Sequence, residues 1–211
     1  LSNGFTLPYL MQRLISNTGP IAHLSGHGPI SGHIQDLGPL VSEPGMAILV
    51  DDHVITKIGE SDEMLSEYSD VEVIDVEGRA IIPGLVDSHA HLIWAGDRSR
   101  EVGWKQQGMT YRQISEMGGG IAATVIPTRN ASDSELAHLG IERMREALRN
   151  GTTHMEIKSG YGLDTKTELR LLEIAESISS VDRLPSLDLT WLGAHAAPPG
   201  GDIASVSYTH L

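Results

Sequence analysis

The chain has 211 residues, with 15 Lys and Arg against 28 Asp and Glu, and a formal net charge of −13. This acidic balance argues against a broad electrostatic grip on nucleic acid or anionic lipid, and no uncharged apolar run approaches the ~18 residues that cross a bilayer. Because the chain has 10 histidines and no cysteine, a metal would be held by imidazole and carboxylate. We expect a soluble, cytoplasmic protein.

The first eighty residues predict a small β-subdomain, residues 1–80. Residues 46–50 and 53–58 are short β-branched runs with two aspartates between them, which predicts a tight hairpin. Valines and isoleucines over residues 71–76 predict a further strand. The segment 17–45 is rich in Gly, Pro, Ser and His and is typical of a long surface loop.

From residue 81 onward the pattern changes to alternating strands and helices. Residues 81–86 form a nearly continuous apolar run, as expected of a strand buried on both faces of a parallel sheet. Further strands are predicted over residues 152–158 and 187–195. Between the strands, Ser or Thr followed three residues later by Gln or Glu marks helix starts at Thr110, Ser132 and Thr165.

This order of elements predicts βαβ units and a parallel sheet. Thr152 and Leu187 are 35 residues apart, which is close to one unit of a (β/α)₈ barrel. A whole barrel takes about 250 residues, whereas only about 130 follow Ala80. We therefore predict an α/β fold in which residues 81–204 form the N-terminal half of a TIM barrel. The start at Leu1 without methionine also leads us to expect a fragment of a longer protein.

The sharpest chemical signal is the segment 83–91, with the sequence PGLVDSHAH. Alternate residues of a strand share a face, so His89 and His91 project side by side at the carboxyl end of a strand, where barrels place their active sites. Two such imidazoles can occupy neighbouring positions around one divalent metal. Asp87 is in phase with them and is placed to orient a ligand imidazole. The alternative is a pair of surface histidines at a strand end.

This segment resembles the first metal motif of the amidohydrolase superfamily. The segments that follow it resemble, in the same order along the chain, those of the imidazolonepropionase family. The resemblance extends from about residue 47 to residue 199. The segments that carry it are GDR at 96–98, GGGI at 118–121, TR at 128–129, EIKSGYGL at 156–163 and LGAHA at 192–196.

The resemblance implies a role for five residues. His89 and His91 match ligands of one divalent or trivalent metal ion, zinc or iron. Arg98, Tyr161 and His195 match residues that bind the substrate, and a guanidinium fork suits the propionate that Arg98 would bind. Without the resemblance, Arg98 is typical of a solvated surface arginine, and Tyr161 is as typical of a residue that packs a turn as of a binding residue. The alternative for His195 is a core histidine, and its place at the carboxyl end of the predicted strand favours a pocket instead.

The resemblance also implies a reaction. The family uses a metal to activate water and hydrolyses the cyclic amide 4-imidazolone-5-propanoate to N-formimidoyl-L-glutamate, in histidine degradation. It implies a small-molecule substrate, no nucleic-acid or membrane partner, and a homodimer as an option for the full-length protein. The family's other metal ligands and its acid/base residue come from later strands, so no catalytic residue is assigned here. We expect this chain alone to be inactive, and residues 205–211, which do not resemble the family, to be a tail.

Two alternatives stay open at this stage. The first is another amidohydrolase or a deaminase that acts on a cyclic amide or a nucleobase. A neutral nucleobase would give Arg98 no carboxylate to bind, which distinguishes the two enzymes. The second alternative is a non-catalytic module that uses half a barrel as an interaction surface.

Two other segments have structural interpretations. His154, Glu156 and Lys158 share a strand face and are predicted to form an ion-paired set, and not a metal bridge. The glycines at 118–120 lack the Lys-Ser/Thr of a phosphate-binding loop. We predict a turn there, after a short helix.

Overall fold

A computed structural model describes residues 12–23, 40–193, 195 and 196 of the chain. The predicted tail, residues 205–211, and most of the predicted loop at 17–45 lie outside these residues. The chain divides into two compact units, Leu1–Pro83 and Gly84–Leu211. Among the described residues, none of the helices has the length and apolar character needed to cross a bilayer.

In its described residues, 12–23 and 40–83, the first unit is a four-stranded sheet with one short helix. The sheet has the strand order β3-β2-β1-β4. Strand β1 pairs antiparallel with β2 and parallel with β4. The elements are β1 (Gln12–Ser16), β2 (Met46–Asp51), β3 (Val54–Glu60), α1 (Ser61–Glu67) and β4 (Glu72–Asp75).

The predicted hairpin and the predicted strand after it are both confirmed in this unit. Strands β2 and β3 pair antiparallel, and Asp52 between them has the positive φ of 53° that a tight turn requires. Strand β4 lies within the predicted segment 71–76. The core of the unit is formed by buried side chains from β1, β2 and α1, namely Leu14, Ala47, Leu49 and Met64.

The second unit alternates strands and helices in the predicted order. The three strands that the structure describes in this unit are parallel and lie in the order β5-β6-β7, which confirms the βαβ arrangement. The strands are β5 (Leu85–Ala90), β6 (Thr152–Lys158) and β7 (Ser186–Thr190). The helices are α2 (Arg100–Gln106), α3 (Tyr111–Glu116), α4 (Ala122–Asn130), α5 (Asp133–Arg149) and α6 (Thr165–Ile178).

The core of this unit lies between the sheet and the helices α5 and α6. Strand β6 is central in the sheet, and its Met155 and Ile157 are buried. Two helix starts follow the predicted capping pattern, since the Thr110 and Ser132 hydroxyls accept backbone N–H groups at the third helical position. The side chains that contribute to this core from the two helices are Leu136, Met144, Leu171, Ile174, Ala175 and Ile178.

The prediction of a fully buried strand over 81–86 is wrong. The strand runs from Leu85 to Ala90, and Leu85 and Val86 are 49% and 64% exposed. The reason is the place of β5 at the edge of the sheet, where β6 is its one partner among the described strands. An apolar run in an edge strand packs on fewer neighbours than the same run in a central strand.

Two other boundaries differ from the predicted ones. The strand predicted over 187–195 spans Ser186–Thr190, so His195 lies in the loop beyond it. Helix α6 is capped by Asp164 and not by Thr165, because the Asp164 carboxylate accepts the N–H of Thr167 at 2.8 Å. The helix therefore begins one residue before the predicted capping residue would require, with Asp164 as the N-cap and Thr165 as the first helical residue.

Candidate active site

The loops after the three parallel strands bring four of the five predicted site residues together. His89 is the last but one residue of β5 and His91 follows the strand, whereas Tyr161 comes after β6 and His195 after β7. The ring centroids of His91 and His195 lie 4.6 Å apart with the planes 6° from parallel. The ring of His89 lies 5.4 Å from that of His91, and the ring of Tyr161 lies 5.0 Å from it at 88°. His91 is therefore the centre of the group.

The imidazole of His91 has the properties of a metal ligand. Its Nδ1 is buried and has no hydrogen-bond partner among the described residues. Burial, together with the neighbouring His195 and His89, lowers the pKa of His91 to about 4, so the ring is neutral near pH 7. A neutral imidazole with a free nitrogen is the form that binds a metal, and an unsatisfied buried nitrogen otherwise costs free energy.

The donor set is nevertheless incomplete in the part of the chain that the structure describes. No group of three His, Asp or Glu side chains in that part is arranged to hold an ion. A catalytic zinc site normally has three protein ligands and one open position. His89 and His91 therefore fit two positions of a metal site and do not form a whole one.

Asp87 does not have the predicted contact with an imidazole. Its Oδ1 accepts the backbone N–H of His89 at 3.1 Å. The register of β5 against β6 shifts between Asp87 and Ala90, which departs from the regular alternation assumed for this face. Asp87 therefore fixes the backbone near the end of β5 and does not orient an imidazole ring.

The loop after β5 is held by an arginine from helix α5. Trp94 donates its indole N–H to the carbonyl of His91 at 3.0 Å. Arg143 donates to the carbonyls of Leu92 at 2.6 Å and Trp94 at 2.8 Å, and its guanidinium lies 3.8 Å from the Trp94 ring centroid. Burial lowers the pKa of Arg143. These contacts fix the backbone just beyond the two histidines.

The loop after β6 is held by a buried carboxylate. Glu168 is 2% exposed and accepts three backbone N–H groups: that of Gly160 at 2.5 Å, Gly162 at 2.8 Å and Leu163 at 2.7 Å. These three residues surround Tyr161 in the chain.

The same loop has two further supports. Arg129 donates to the carbonyl of Gly162 at 2.7 Å and pairs with Asp164 at 3.1 Å. On the other side of the loop, Nδ1 of His195 lies 3.0 Å from the carbonyl oxygen of Gly160. The loops after β6 and β7 are therefore joined at Gly160.

Arg98 is the one predicted site residue outside the ring cluster. Its Nε and Nη2 donate to both oxygens of Glu101, at 2.7 and 2.8 Å. Glu101 is 4% exposed and also accepts the N–H of Gly120 at 2.7 Å. These hydrogen bonds hold the pKa of the Glu101 carboxyl below its usual value, and the bond from Arg98 has the larger effect. The pair lines a cavity of about 320 Å³ together with Trp104 and Met117.

The two structural interpretations from the sequence fare differently. The turn at 118–120 follows the short helix α3 as predicted, and Gly118 has a positive φ of 82°. The ion pair of Lys158 with Glu156 is also present. His154 does not join it, however, because Nδ1 of His154 bonds to Ser186 of β7 at 2.8 Å.

Sequence reasoning missed the residues that hold the loops. The pattern at Thr165 predicts Glu168 as a capping partner, the resemblance includes Arg129 without a role, and no sequence pattern indicates Glu101 or Arg143. One signal in the sequence was available for Glu168, since the glycine-rich loop before α6 has several backbone N–H groups to satisfy. No comparable local signal marks Arg143, whose two carbonyl partners lie 51 and 49 residues away in the chain.

Solved structures of metal-dependent hydrolases share this fold. An amidohydrolase has a TM-score of 0.50 at 20% identity, over 86% of this chain and 32% of that chain. An uncharacterized metal-dependent hydrolase from Pyrococcus furiosus also has a TM-score of 0.50, at 12% identity, over 85% of this chain and 50% of that chain. At these identities the likeness defines the fold, which is the α/β fold of the amidohydrolases.

Curated relatives of higher identity are imidazolonepropionases. That of Symbiobacterium thermophilum is 40% identical over 189 residues, 88% of this chain and 44% of the relative. That of Bacillus velezensis is 38% identical over 195 residues, 92% of this chain and 45% of the relative. No family model matches the chain. The chain is a homologue of the imidazolonepropionases, as its motifs predicted, and it spans a little under half the length of these relatives.

Proposed function

We propose that the complete protein, meaning one of the relatives' length that contains this chain, hydrolyses 4-imidazolone-5-propanoate to N-formimidoyl-L-glutamate. The observation that carries the proposal is the meeting of His91, Tyr161 and His195 at the carboxyl edge of the sheet, in a homologue of imidazolonepropionases. Parallel α/β folds bind their ligands at that edge.

His89 and His91 would hold the metal in this proposal. The free, neutral Nδ1 of His91 supports it, and zinc and iron both accept imidazole ligands. When bound, the ion supplies Lewis-acid activation of water and of the ring carbonyl. We propose that the remaining ligands belong to the part of the relatives' length that this chain does not span.

The other three residues would bind and orient the substrate. Tyr161 and His195 lie beside His91, with ring centroids 5.0 and 4.6 Å from it, which suits contact with a ring held near the metal. A guanidinium has five N–H donors, and Glu101 takes two of those on Arg98. The others are proposed to bind the propionate of the substrate.

The test is an assay of the complete protein, loaded with zinc or iron, on imidazolone propionate. We expect formimidoylglutamate as the product, and no turnover of an analogue in which a methyl group replaces the propionate. A metal-loaded protein that left imidazolone propionate intact and deaminated an aminopurine would contradict the proposal. The 211-residue chain, assayed in parallel, is expected to show no turnover.

Three properties stay predictions from the sequence. They are a cytoplasmic location, a small-molecule substrate without nucleic-acid or membrane partners, and a homodimer of the complete protein. Sedimentation of the complete protein tests the homodimer directly.

A further inference from the structure

We infer that Glu168 is a positioning residue: it holds the loop that contains Tyr161 and that contacts His195, and so sets the places of both side chains. The expected effect of Glu168 on catalysis rests on the proposed function, whereas its effect on the positions of Tyr161 and His195 does not. The loop concerned is the segment 159–163, which follows β6.

The contacts of Glu168 go to the loop and not to its own helix. Its Oε2 accepts the N–H of Gly160, and its Oε1 accepts the N–H groups of Gly162 and Leu163. The cap of α6 is already supplied by Asp164, so Glu168 is not needed there. A carboxylate that is 2% exposed is costly to bury without partners, and three charge-assisted hydrogen bonds compensate it.

These bonds fix Tyr161 from both sides. Gly160 and Gly162, its neighbours in the chain, are each tied to the carboxylate through their amide nitrogens. Leu163 has a positive φ of 56°, which is uncommon for a residue with a side chain, and its N–H is held by the same carboxylate. The course of the loop on either side of the Tyr161 ring therefore depends on Glu168.

His195 is supported through Gly160. Its Nδ1 lies 3.0 Å from the Gly160 carbonyl oxygen, while the N–H of the same glycine is bonded to Glu168. A Cβ on Gly160 would lie 2.5 Å from that Nδ1, so the imidazole packs directly on bare backbone. A displacement of Gly160 would move the support of His195 together with Tyr161.

The kinetic test uses the complete protein with the variants Glu168→Gln and Glu176→Gln. Glu176 is an exposed glutamate on the same helix and is the matched control. We expect E168Q to lower kcat/KM by about tenfold to a hundredfold through misplacement of binding groups, with metal content unchanged, and E176Q to have no effect. In the Tyr161→Phe background the E168Q effect should shrink, because both changes act on one ring. The inference would be overturned if E168Q and E176Q had the same kcat/KM. It would also be overturned if E168Q lowered kcat/KM by the same factor in the Tyr161→Phe background as in the wild type.

A second test needs no activity and uses the 211-residue chain labelled with 3-fluorotyrosine. The Tyr161 fluorine resonance is assigned by its loss in Tyr161→Phe. We expect E168Q to shift or broaden that resonance and to leave the resonances of the other four tyrosines in place, and E176Q to leave all five in place. An unmoved Tyr161 resonance in E168Q overturns the inference. If the wild-type complete protein does not turn over imidazolone propionate, the proposed function fails and this measurement still decides the role of Glu168.

The variant Glu168→Asp distinguishes a positioning role of Glu168 from a role in folding. It keeps the charge but withdraws the oxygens by one methylene, so we expect it to move the Tyr161 resonance as E168Q does. Collapse of the Tyr111 resonance together with that of Tyr161 in both variants would assign Glu168 to folding of the second unit and would overturn its positioning role. Retention of the wild-type Tyr161 resonance in E168D would equally count against it.

Discussion

Strands β5 and β6 are neighbours in one parallel sheet, yet they differ in what surrounds them. β6 has a partner on each side, and its Met155 and Ile157 are 5% and 1% exposed. β5 has one described partner, and its Leu85 and Val86 are 49% and 64% exposed. The predicted metal histidines lie at the end of β5, whereas the central strand supplies the core.

This difference separates the residues that stabilise the unit from those that would act on a substrate. The His89 and His91 rings are held by the sheet edge and by the loop that Arg143 fixes, and they contribute little to the apolar core. Changes on β5 should therefore affect binding more than stability, and changes on the apolar face of β6 should do the reverse. The following predictions test that division.

The largest expected effect is the loss of metal and turnover on replacing both β5 histidines. The double variant His89→Ala, His91→Ala of the complete protein removes two imidazole ligands, so we expect neither bound metal nor detectable product. Metal analysis beside steady-state kinetics measures both. His138→Ala, at an exposed position on α5, is the control and should keep both. Full metal occupancy in the double variant would show that this strand end is not the metal site.

The next effect is on stability and compares the two strands directly. Ile157→Ala should lower the free energy of unfolding by about 2–5 kcal/mol, because it leaves a cavity in a close-packed core. Val86→Ala removes an exposed side chain and should change it by less than about 0.5 kcal/mol. Urea denaturation of the 211-residue chain measures both. Equal costs would mean that the apolar run of β5 is as buried as that of β6.

Arg98→Ala should weaken substrate binding and leave the metal in place. Each lost charged hydrogen bond to the propionate is worth about 1.5–3 kcal/mol, which is about tenfold to 150-fold in KM. The substitution also leaves the buried Glu101 carboxylate without its ion-pair partner, so Arg98→Ala combined with Glu101→Gln is the control for damage to the fold. If the double variant recovered the wild-type KM, Arg98 would not bind the substrate.

The smallest effect concerns the polar face of β6. Ser186→Ala removes the hydroxyl that bonds to His154 at 2.8 Å in an exposed setting. We expect a loss of about 0.5 kcal/mol, the lower end for a hydrogen bond, by the same denaturation measurement. A loss as large as that of Ile157→Ala would contradict the view that the apolar face of β6 provides most of its stability.

Much of the second unit was predictable because local patterns and chain connectivity determine it. The spacing of Thr152 and Leu187 and the capping hydroxyls of Thr110 and Ser132 correctly predicted parallel strands joined by helices. The spacing of His89 and His91 correctly predicted that their rings are neighbours, although β5 ends at Ala90 and His91 lies beyond it. These inferences need neighbours in the chain and the rule that parallel strand ends meet at one edge.

The remaining features depended on contacts between residues far apart in the sequence. The apolar run at 81–86 has the same composition whether it lies in a central or an edge strand, and the sheet order decides its exposure. Arg143 contacts the loop after β5 only because α5 packs on the sheet, and no pattern in the sequence predicts that contact.

The amino-acid sequence by itself determined the similarity of this chain to the imidazolonepropionases, its βαβ order and the residue types at its candidate site. The tertiary structure decided which of these residues meet: it joined Tyr161 and His195 through the loop on Glu168, and it engaged Arg98 with Glu101. The physical reason is that a motif depends on residues that are close in the sequence. The partner of a buried charged group depends instead on which distant residues the packing of the chain places within hydrogen-bonding distance.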